Sequence, residues 1–327
     1  MKPSSILRGL SFRIHARISA SPAAVAPLPV RTQFDQRLTS ELDALHDQSP
    51  AFGINGTGYA SAAWIIDLLA ASAATQKIEQ ESLINVVAQD SDRKLIDEYL
   101  DFNVDILDAC NEASEKLEIM QSYIQSLRIV AHSVEANFEP NSATTARARH
   151  MLDSCIVIER SREMNSKRSC SKSKKLLSQR CSPGKSSGGT TQLGEILTGS
   201  TAMTSLVCRI LGITLSFKSS KHMFPSMQLQ STNSWSFSLL GLQKKVTESS
   251  RGAGSTMLAE LRRTIEASRN LRDCLAESDE IGVAVEELTR SCGELEEGIK
   301  GLEGEVKELY KGLIAVRMAL LDSLSKA

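Results

Sequence analysis

The chain has 327 residues, of which 41% are hydrophobic and only 4% aromatic, and its formal net charge is -1. This balanced charge gives no global attraction to nucleic acid or to anionic lipid, so no nucleic-acid partner is expected. The length allows one large or two ordinary domains, and abundant Leu, Ala, Glu and Lys with few aromatic residues favour helix over sheet.

The first segment, residues 1–33, is basic. Residues 1–34 contain five Lys or Arg and no acidic residue, and Ile6, Leu10 and Ile14 recur at helical spacing. An Arg-rich, Ser-rich, acid-free amphipathic start is typical of an organelle transit peptide, with an ordinary basic tail as the alternative. The apolar core of a secretory signal is absent. We therefore expect an intracellular protein, located in the chloroplast or another organelle, or in the cytoplasm or at a membrane.

A helical region is predicted over 34–159. Apolar spacing predicts a helix from Phe34 to Leu45, a second over 61–76 and a short one over 79–88. A long helix is predicted over 92–139, with Ser91 as its N-cap and Pro140 after its end. Its heptad positions include the polar Asn103, a residue type that can set register: Ile96, Tyr99, Asn103, Ile106, Cys110, Ala113, Leu117, Met120, Ile124, Leu127, Ala131 and Val134. A further helix is predicted over about 143–163.

Two segments of opposite character follow. Residues 160–192 are rich in Ser and Gly and carry nine Lys or Arg, so a disordered basic linker is predicted. Residues 193–250 are expected to form an apolar helix and then an irregular segment. The run Ile196–Phe217 is about long enough to span a bilayer, although Arg209 near its middle opposes insertion. Membrane association through this run and burial in a helical bundle therefore remain alternatives.

The last region, 251–327, is predicted as a long helix that starts near Thr256 and packs on 92–139. Its apolar residues follow an unbroken heptad spacing over about 60 Å: Ile281, Val285, Leu288, Cys292, Leu295, Ile299, Leu302, Val306, Leu309, Leu313, Val316 and Leu320. Flanking g positions such as Ser291, Gly298 and Gly312 are small, which favours close packing within a bundle. Homodimerisation through this helix is the alternative.

Motifs for catalysis or metal binding are missing. The five histidines are scattered without a zinc-ligand spacing, and Gly184-Lys185-Ser186 lacks the first glycine of a phosphate loop, since Gln179 stands there. Seven cysteines form no C-x-x-C pair, which is typical of a reducing compartment. We predict no catalytic, cofactor-binding or metal-binding residue and no enzymatic activity.

Several stretches resemble a plant family of helical proteins named after BYPASS. They are Phe34…Leu38…Leu42, the helix around Trp64, the run from Tyr99 to Asn111, the segment Ser200–Cys208 and the closing helix. The resemblance extends from about residue 31 onward. It implies a developmental role in plants, restraining a mobile root-derived signal that arrests shoot growth, and it supplies no catalytic residue.

The sequence thus predicts an all-α, elongated multi-helix bundle with long coiled-coil-like helices and a disordered basic linker. We expect a non-enzymatic regulatory or scaffold protein that binds other proteins through helical surfaces. The alternative is a membrane-associated signalling component anchored through 196–217.

Overall fold

The computed structural model describes residues 31–47, 61–84, 86, 92–136, 143–160, 191–217, 229, 233–253, 257–277 and 280–326. These residues are helical and contain no strand, which confirms the predicted all-α bundle. From Thr32 onward the chain forms one compact unit. The predicted transit-like segment and the predicted basic linker lie, except for their last or outermost residues, outside the described part of the chain.

Eight helices are present in the described residues. They are α1 (Gln33–Asp47), α2 (Ala62–Leu83), α3 (Arg93–Glu135), α4 (within 143–160), α5 (Gln192–Thr214), α6 (Ser234–Ala253), α7 (Ala259–Glu277) and α8 (Ile281–Lys326).

The longest helix, α8, is the centre of the bundle. It packs against α2, α3 and α7. Eleven of its twelve heptad residues are buried, and Ile281 at its start is partly buried. α3 runs antiparallel to α8, because Arg128 pairs with Glu296 near one end of the contact and Arg317 donates to the carbonyl of Leu100 near the other. The two long heptad repeats are therefore buried within one chain.

α2 approaches α8 closely, along its small residues. A Cβ atom on Gly298 would lie 2.7 Å from the Cβ of Ala62, and one on Gly312 would lie 3.0 Å from the Cβ of Gln76. The two helices therefore run parallel. Not every glycine of α8 serves this contact, since a Cβ on Gly304 would meet nothing within 4 Å. Close packing against α2 thus explains the presence of glycine at some positions of α8, such as Gly298 and Gly312, but not at all of them.

The C-terminal region consists of two helices, so the prediction of one long helix from Thr256 is wrong. The break lies at Glu280, whose φ of 45° is left-handed and cannot continue a right-handed helix. The carbonyl of Glu280 accepts the first hydrogen bond of α8 from the amide of Ala284 at 3.1 Å. α7 folds back on α8, where Thr264 Oγ1 donates to the carbonyl of Ser291 at 3.1 Å.

Other predicted boundaries also differ from the structure. Asp92, and not Ser91, takes the N-cap position of α3, which ends at Glu135. The predicted helices over 61–76 and 79–88 are replaced by one helix, α2, which runs from Ala62 to Leu83. Val86 lies beyond its end, and 85, 87 and 88 lie outside the described residues. Part of the segment predicted to be irregular forms α6. The carboxylate of Asp35 in α1 accepts from the amide of Trp235 at 3.1 Å and so caps the first turn of α6. This partner lies 200 residues away in the sequence, which is why local pattern did not predict the helix.

The remaining helices pack on one another, and another helix start is capped by a distant residue. α5 packs against α2 and α3, and α1 packs against α2 and α6. The amide of Ala62, at the start of α2, donates to Glu260 Oε2 of α7 at 3.1 Å. α5 begins with a local cap, since Thr191 Oγ1 accepts from the amide of Gly194.

Candidate functional site

A cluster of polar side chains is buried where α2, α3 and α5 meet. It consists of Gln76, Glu79, Tyr99, Asn103, Ser200 and Thr204, and none of them is more than 5% exposed. We call these six residues the Glu79 cluster. Each helix contributes two of them at a spacing of three or four residues, so that both lie on the same helical face.

Two hydrogen bonds of the cluster converge on one carboxyl oxygen. Glu79 Oε2 accepts from the Tyr99 hydroxyl at 3.0 Å and from the Ser200 hydroxyl in a short contact. Gln76 Nε2 donates to Ser200 Oγ at 2.8 Å and to Thr204 Oγ1 at 3.1 Å. α2 is thereby hydrogen-bonded to α3 through Tyr99 and to α5 through Ser200 and Thr204.

Asn103 extends the cluster toward α8. Its Nδ2 donates to the carbonyl of Leu313 at 3.1 Å. This bond fixes the position of α3 along α8, as the polar heptad residue in the sequence predicted. Its Oδ1, together with Gln76 Oε1 and Glu79 Oε1, has no hydrogen-bond partner among the described residues.

Burial dominates the electrostatics of the cluster. Loss of hydration raises the pKa of Glu79 to about 8, against the smaller, opposite effects of the hydrogen bonds from Ser200 and Tyr99. No ion pair with Glu79 is present in the described part of the chain. Burial, and then the charge of Glu79, raise the pKa of Tyr99 well above its ordinary value. Both groups are therefore neutral at neutral pH in the folded bundle.

A second buried carboxylate has a different environment. Glu159 of α4 accepts from the Tyr123 hydroxyl at 2.8 Å and from Arg269 Nη2 at 2.9 Å. Its charge is compensated by the guanidinium, and the contact joins α3, α4 and α7. Unlike Glu159, Glu79 is buried without a cation among the described residues.

The cysteines do not form a reactive centre in the described residues. Cys110, Cys155, Cys208 and Cys292 are buried free thiols. Burial raises the pKa of Cys155 to about 11 and that of Cys292 to about 12, so both thiols are protonated at neutral pH. No group of three or more His, Cys, Asp or Glu side chains in the described ranges can hold a metal ion.

α5 contains most of the run that the sequence suggested as a membrane segment, up to Thr214. Among the described residues it is the one helix that is long and apolar enough to cross a membrane. Seventeen of its 23 residues are buried in the bundle, and Ser200 and Thr204 have hydrogen-bond partners there. Buried core helices of soluble proteins satisfy the same length and composition criterion.

An apolar surface lies at the outer edge of the contact between α3 and α8. Ile314, Met318 and Leu321 are exposed on α8 at spacings of four and three, and Val104 is exposed on α3. Val104 and Ile314 directly follow Asn103 and Leu313, the two residues joined across this contact. We call these four residues the α3–α8 surface.

Acidic residues follow α3 beside this surface. Asp97, Asp101 and Asp108 are exposed and Asp105 is partly buried, at spacings of four, four and three. They form one acidic row on the outer face of α3. The sequence predicted binding through helical surfaces but not these residues. An apolar residue on a helix can be recognised as exposed only when the buried face of that helix is known.

Sequence reasoning named no site residue, and it missed Gln76 and Glu79. One sequence feature could have identified them. Gln76 and Glu79 are polar residues three apart on the otherwise apolar face of α2, and Ser200 and Thr204 are a similar pair on the apolar face of α5.

Comparison with known proteins identifies a family. The family model described as Protein BPS1 matches residues 67–322, which is most of the chain. No curated protein and no solved structure matches the chain significantly. The match covers α3, α5 and nearly all of α8, which carried part of the resemblance in the sequence, whereas Phe34, Leu38, Leu42 and Trp64 lie outside it. The chain therefore belongs to the Protein BPS1 family, the BYPASS-related family of plants, and this membership indicates a plant developmental regulator.

Proposed function

We propose that the protein is a non-enzymatic helical scaffold that regulates plant development by binding another protein. The single observation that supports this proposal best is the α3–α8 surface, where four apolar side chains are exposed beside an acidic row. Single exposed apolar residues are common, but three at helical spacing on one face match the way a helix docks on a helix.

The expected partner is an amphipathic helix of another protein. Its apolar residues would be three and four apart, to contact Ile314, Met318 and Leu321. Its edge facing α3 would carry Lys or Arg, because the acidic row there includes the exposed Asp97 and Asp108. The carboxylates would orient the partner helix and make its association sensitive to salt.

The test uses plants that lack the protein. Reintroduced wild-type protein should restore shoot growth, whereas Met318→Asp and Leu321→Asp should fail to restore it at equal abundance and equal melting temperature. The matched control is Val283→Asp, which places the same charge on another exposed apolar residue of α8 and should restore growth. Restoration by all variants would show that the α3–α8 surface is not the functional one.

A second copy of the chain is the alternative occupant of this surface. Sedimentation of the purified protein distinguishes the two cases. A monomer whose mass is unchanged by Met318→Asp supports a different partner, and a dimer that the substitution dissociates supports self-association.

The developmental role proposed from the family resemblance is the restraint of a mobile root-derived signal. Grafting tests it directly. Roots without the protein should arrest a wild-type shoot, and roots expressing the wild-type chain should not. Normal growth above mutant roots would contradict this role.

Membrane association through 196–217 is the second candidate function. The observation that favours it is the length and apolar composition of α5. Carbonate extraction separates the alternatives, since an inserted chain stays with the membrane fraction. Complete release into the soluble fraction would exclude insertion and leave α5 as a core helix.

A further inference from the structure

The described groups around Glu79 provide no compensating charge. Its neighbours on the outer face of α2, Lys77 and Glu81, are exposed, and Glu81 pairs with Arg37 of α1. α3 contributes the neutral hydroxyl of Tyr99, and α5 contributes the hydroxyl of Ser200.

The next elements add little charge to this environment. On α5, the nearest described carboxyl toward the helix start is Glu195, which accepts from Thr32 at 3.1 Å. Burial raises the pKa of Glu195, so it is the second carboxyl whose titration must be separated from that of Glu79. α8 presents Gly312 against Gln76 and the Leu313 carbonyl to Asn103. An ionised Glu79 would thus be a buried charge with neutral hydroxyl donors and no cation among the described groups around it.

We propose that Glu79 is a proton-operated latch for α5. With its proton, Glu79 is compatible with the packed contact of α2, α3 and α5. Without it, the carboxylate favours a conformation in which water reaches the contact and α5 is loosened from α2. The hydrogen bonds from Gln76 to Ser200 and Thr204 belong to the same contact, so they open together with it.

The choice of α5 as the moving element follows from its connections. α2 and α3 are held to the central α8 along much of their length, whereas α5 packs mainly on α2 and α3, with a smaller contact to α6 and a close approach of Gly199 to Phe34 of α1. The described structure gives α5 its polar ties to α2 through Ser200 and Thr204. A loosened α5 would expose the most apolar helix of the bundle, which is long enough to enter a membrane. The latch does not depend on the proposed partner surface.

The difference in the pKa of Glu79 between the closed and open states gives the direction and size of the pH effect on opening. The closed state has the higher pKa, about 8, and in an open, hydrated state the pKa returns toward the ordinary 4.5. The closed state is therefore favoured fully below pH 4.5 and loses its advantage as pH rises toward 8. Between pH 6 and pH 8 the opening equilibrium should increase on the order of fiftyfold, and above that range it should level off.

Hydrogen exchange of the full chain tests the latch. Exchange of peptides from α5 would be followed by mass spectrometry at pH 6 and pH 8 and corrected for the intrinsic pH dependence of exchange. Wild-type α5 should open more at pH 8 by the factor above, while peptides from the middle of α8 should change much less. Glu79→Gln, which stays neutral, should remove the pH dependence of α5.

Three further variants make the outcome decisive. Glu81→Gln is the matched control, an exposed carboxyl two residues away, and should behave as wild type. Glu195→Gln should also retain the pH dependence. Tyr99→Phe removes a donor that favours the ionised carboxyl, so it should move the transition to higher pH, and it provides an independent measurement if Glu79→Gln does not fold. A pH dependence of α5 that persists in Glu79→Gln, or a transition that Tyr99→Phe leaves in place, would overturn the proposal.

Discussion

The backbone of Gly298 lies directly against the side chain of Ala62, where α2 begins its path along α8. A Cβ on Gly298 would lie 2.7 Å from that of Ala62, closer than two such atoms can approach. Because glycine has no side chain and alanine has only a methyl group, the two helices can approach closely at this point.

Alanine substitutions at two glycines of α8 should therefore have opposite effects. Gly298→Ala should destabilise the protein by about 1–3 kcal/mol, because the helices must separate. Gly304→Ala should stabilise it by about 0.8–1 kcal/mol, because a Cβ there meets nothing and Ala has the better helix propensity. Urea denaturation of both variants measures the difference. Equal effects of the two substitutions would contradict the close approach.

A charge in the heptad repeat of α8 should unfold the bundle. Leu295 and Leu302 are fully buried, so Leu295→Asp or Leu302→Asp removes a packed side chain and buries a carboxylate without a partner. Each should cost at least about 3 kcal/mol.

Thermal denaturation followed by circular dichroism checks this prediction. Val283→Asp, at an exposed position of the same helix, should change stability by less than about 0.5 kcal/mol. Melting curves of the Leu variants that coincide with that of the wild type would refute the packing described for α8.

The hydrogen bond between Asn103 and the Leu313 carbonyl should contribute to stability. Asn103→Ala should cost about 1–3 kcal/mol, since it removes the bond and leaves a small void in a closed interface. Asn111→Ala makes the same change at an exposed position of α3 and should be neutral or slightly stabilising. Chemical denaturation compares the two, and an equal response at both positions would count against a structural role for Asn103.

The ion pair of Arg269 with Glu159 should matter more than an exposed pair. Arg269→Ala leaves the buried Glu159 without its cation and should cost about 1–3 kcal/mol. Arg290→Ala, which breaks an exposed pair with Glu287, should cost less than about 1 kcal/mol.

Restoring neutrality provides the control for Arg269. Adding Glu159→Gln to Arg269→Ala should recover part of the lost stability, because the amide needs no cation and still accepts from Tyr123. A double variant no more stable than Arg269→Ala would assign the loss to the packing of the arginine side chain instead.

Much of the fold could be predicted because its strongest signals are periodic. The twelve apolar positions from Ile281 to Leu320 and the repeat around Asn103 define the buried faces of α8 and α3 without knowledge of a partner. The small residues beside the first repeat also predicted a close neighbour, although not that the neighbour is α2.

The elements that were missed depend on contacts between distant residues. The start of α6 is capped by Asp35, and the separation of α7 from α8 depends on the left-handed backbone of Glu280, a residue type with no strong preference for that conformation. The Glu79 cluster was missed for the same reason. Its polar residues come from three helices, and a single helix shows only an isolated pair such as Gln76 and Glu79.

The central position of α8 has a consequence for biosynthesis. The ribosome synthesises α2, α3 and α5 before α8, the helix against which α2 and α3 pack. The amide of Ala62 at the start of α2 likewise has no capping partner until Glu260 has been synthesised. These apolar helices must therefore avoid aggregation on the growing polypeptide until α8 has left the exit tunnel. Chaperones that shield nascent chains should be needed here, and a premature stop codon shortly before α8 should yield a product destined for degradation.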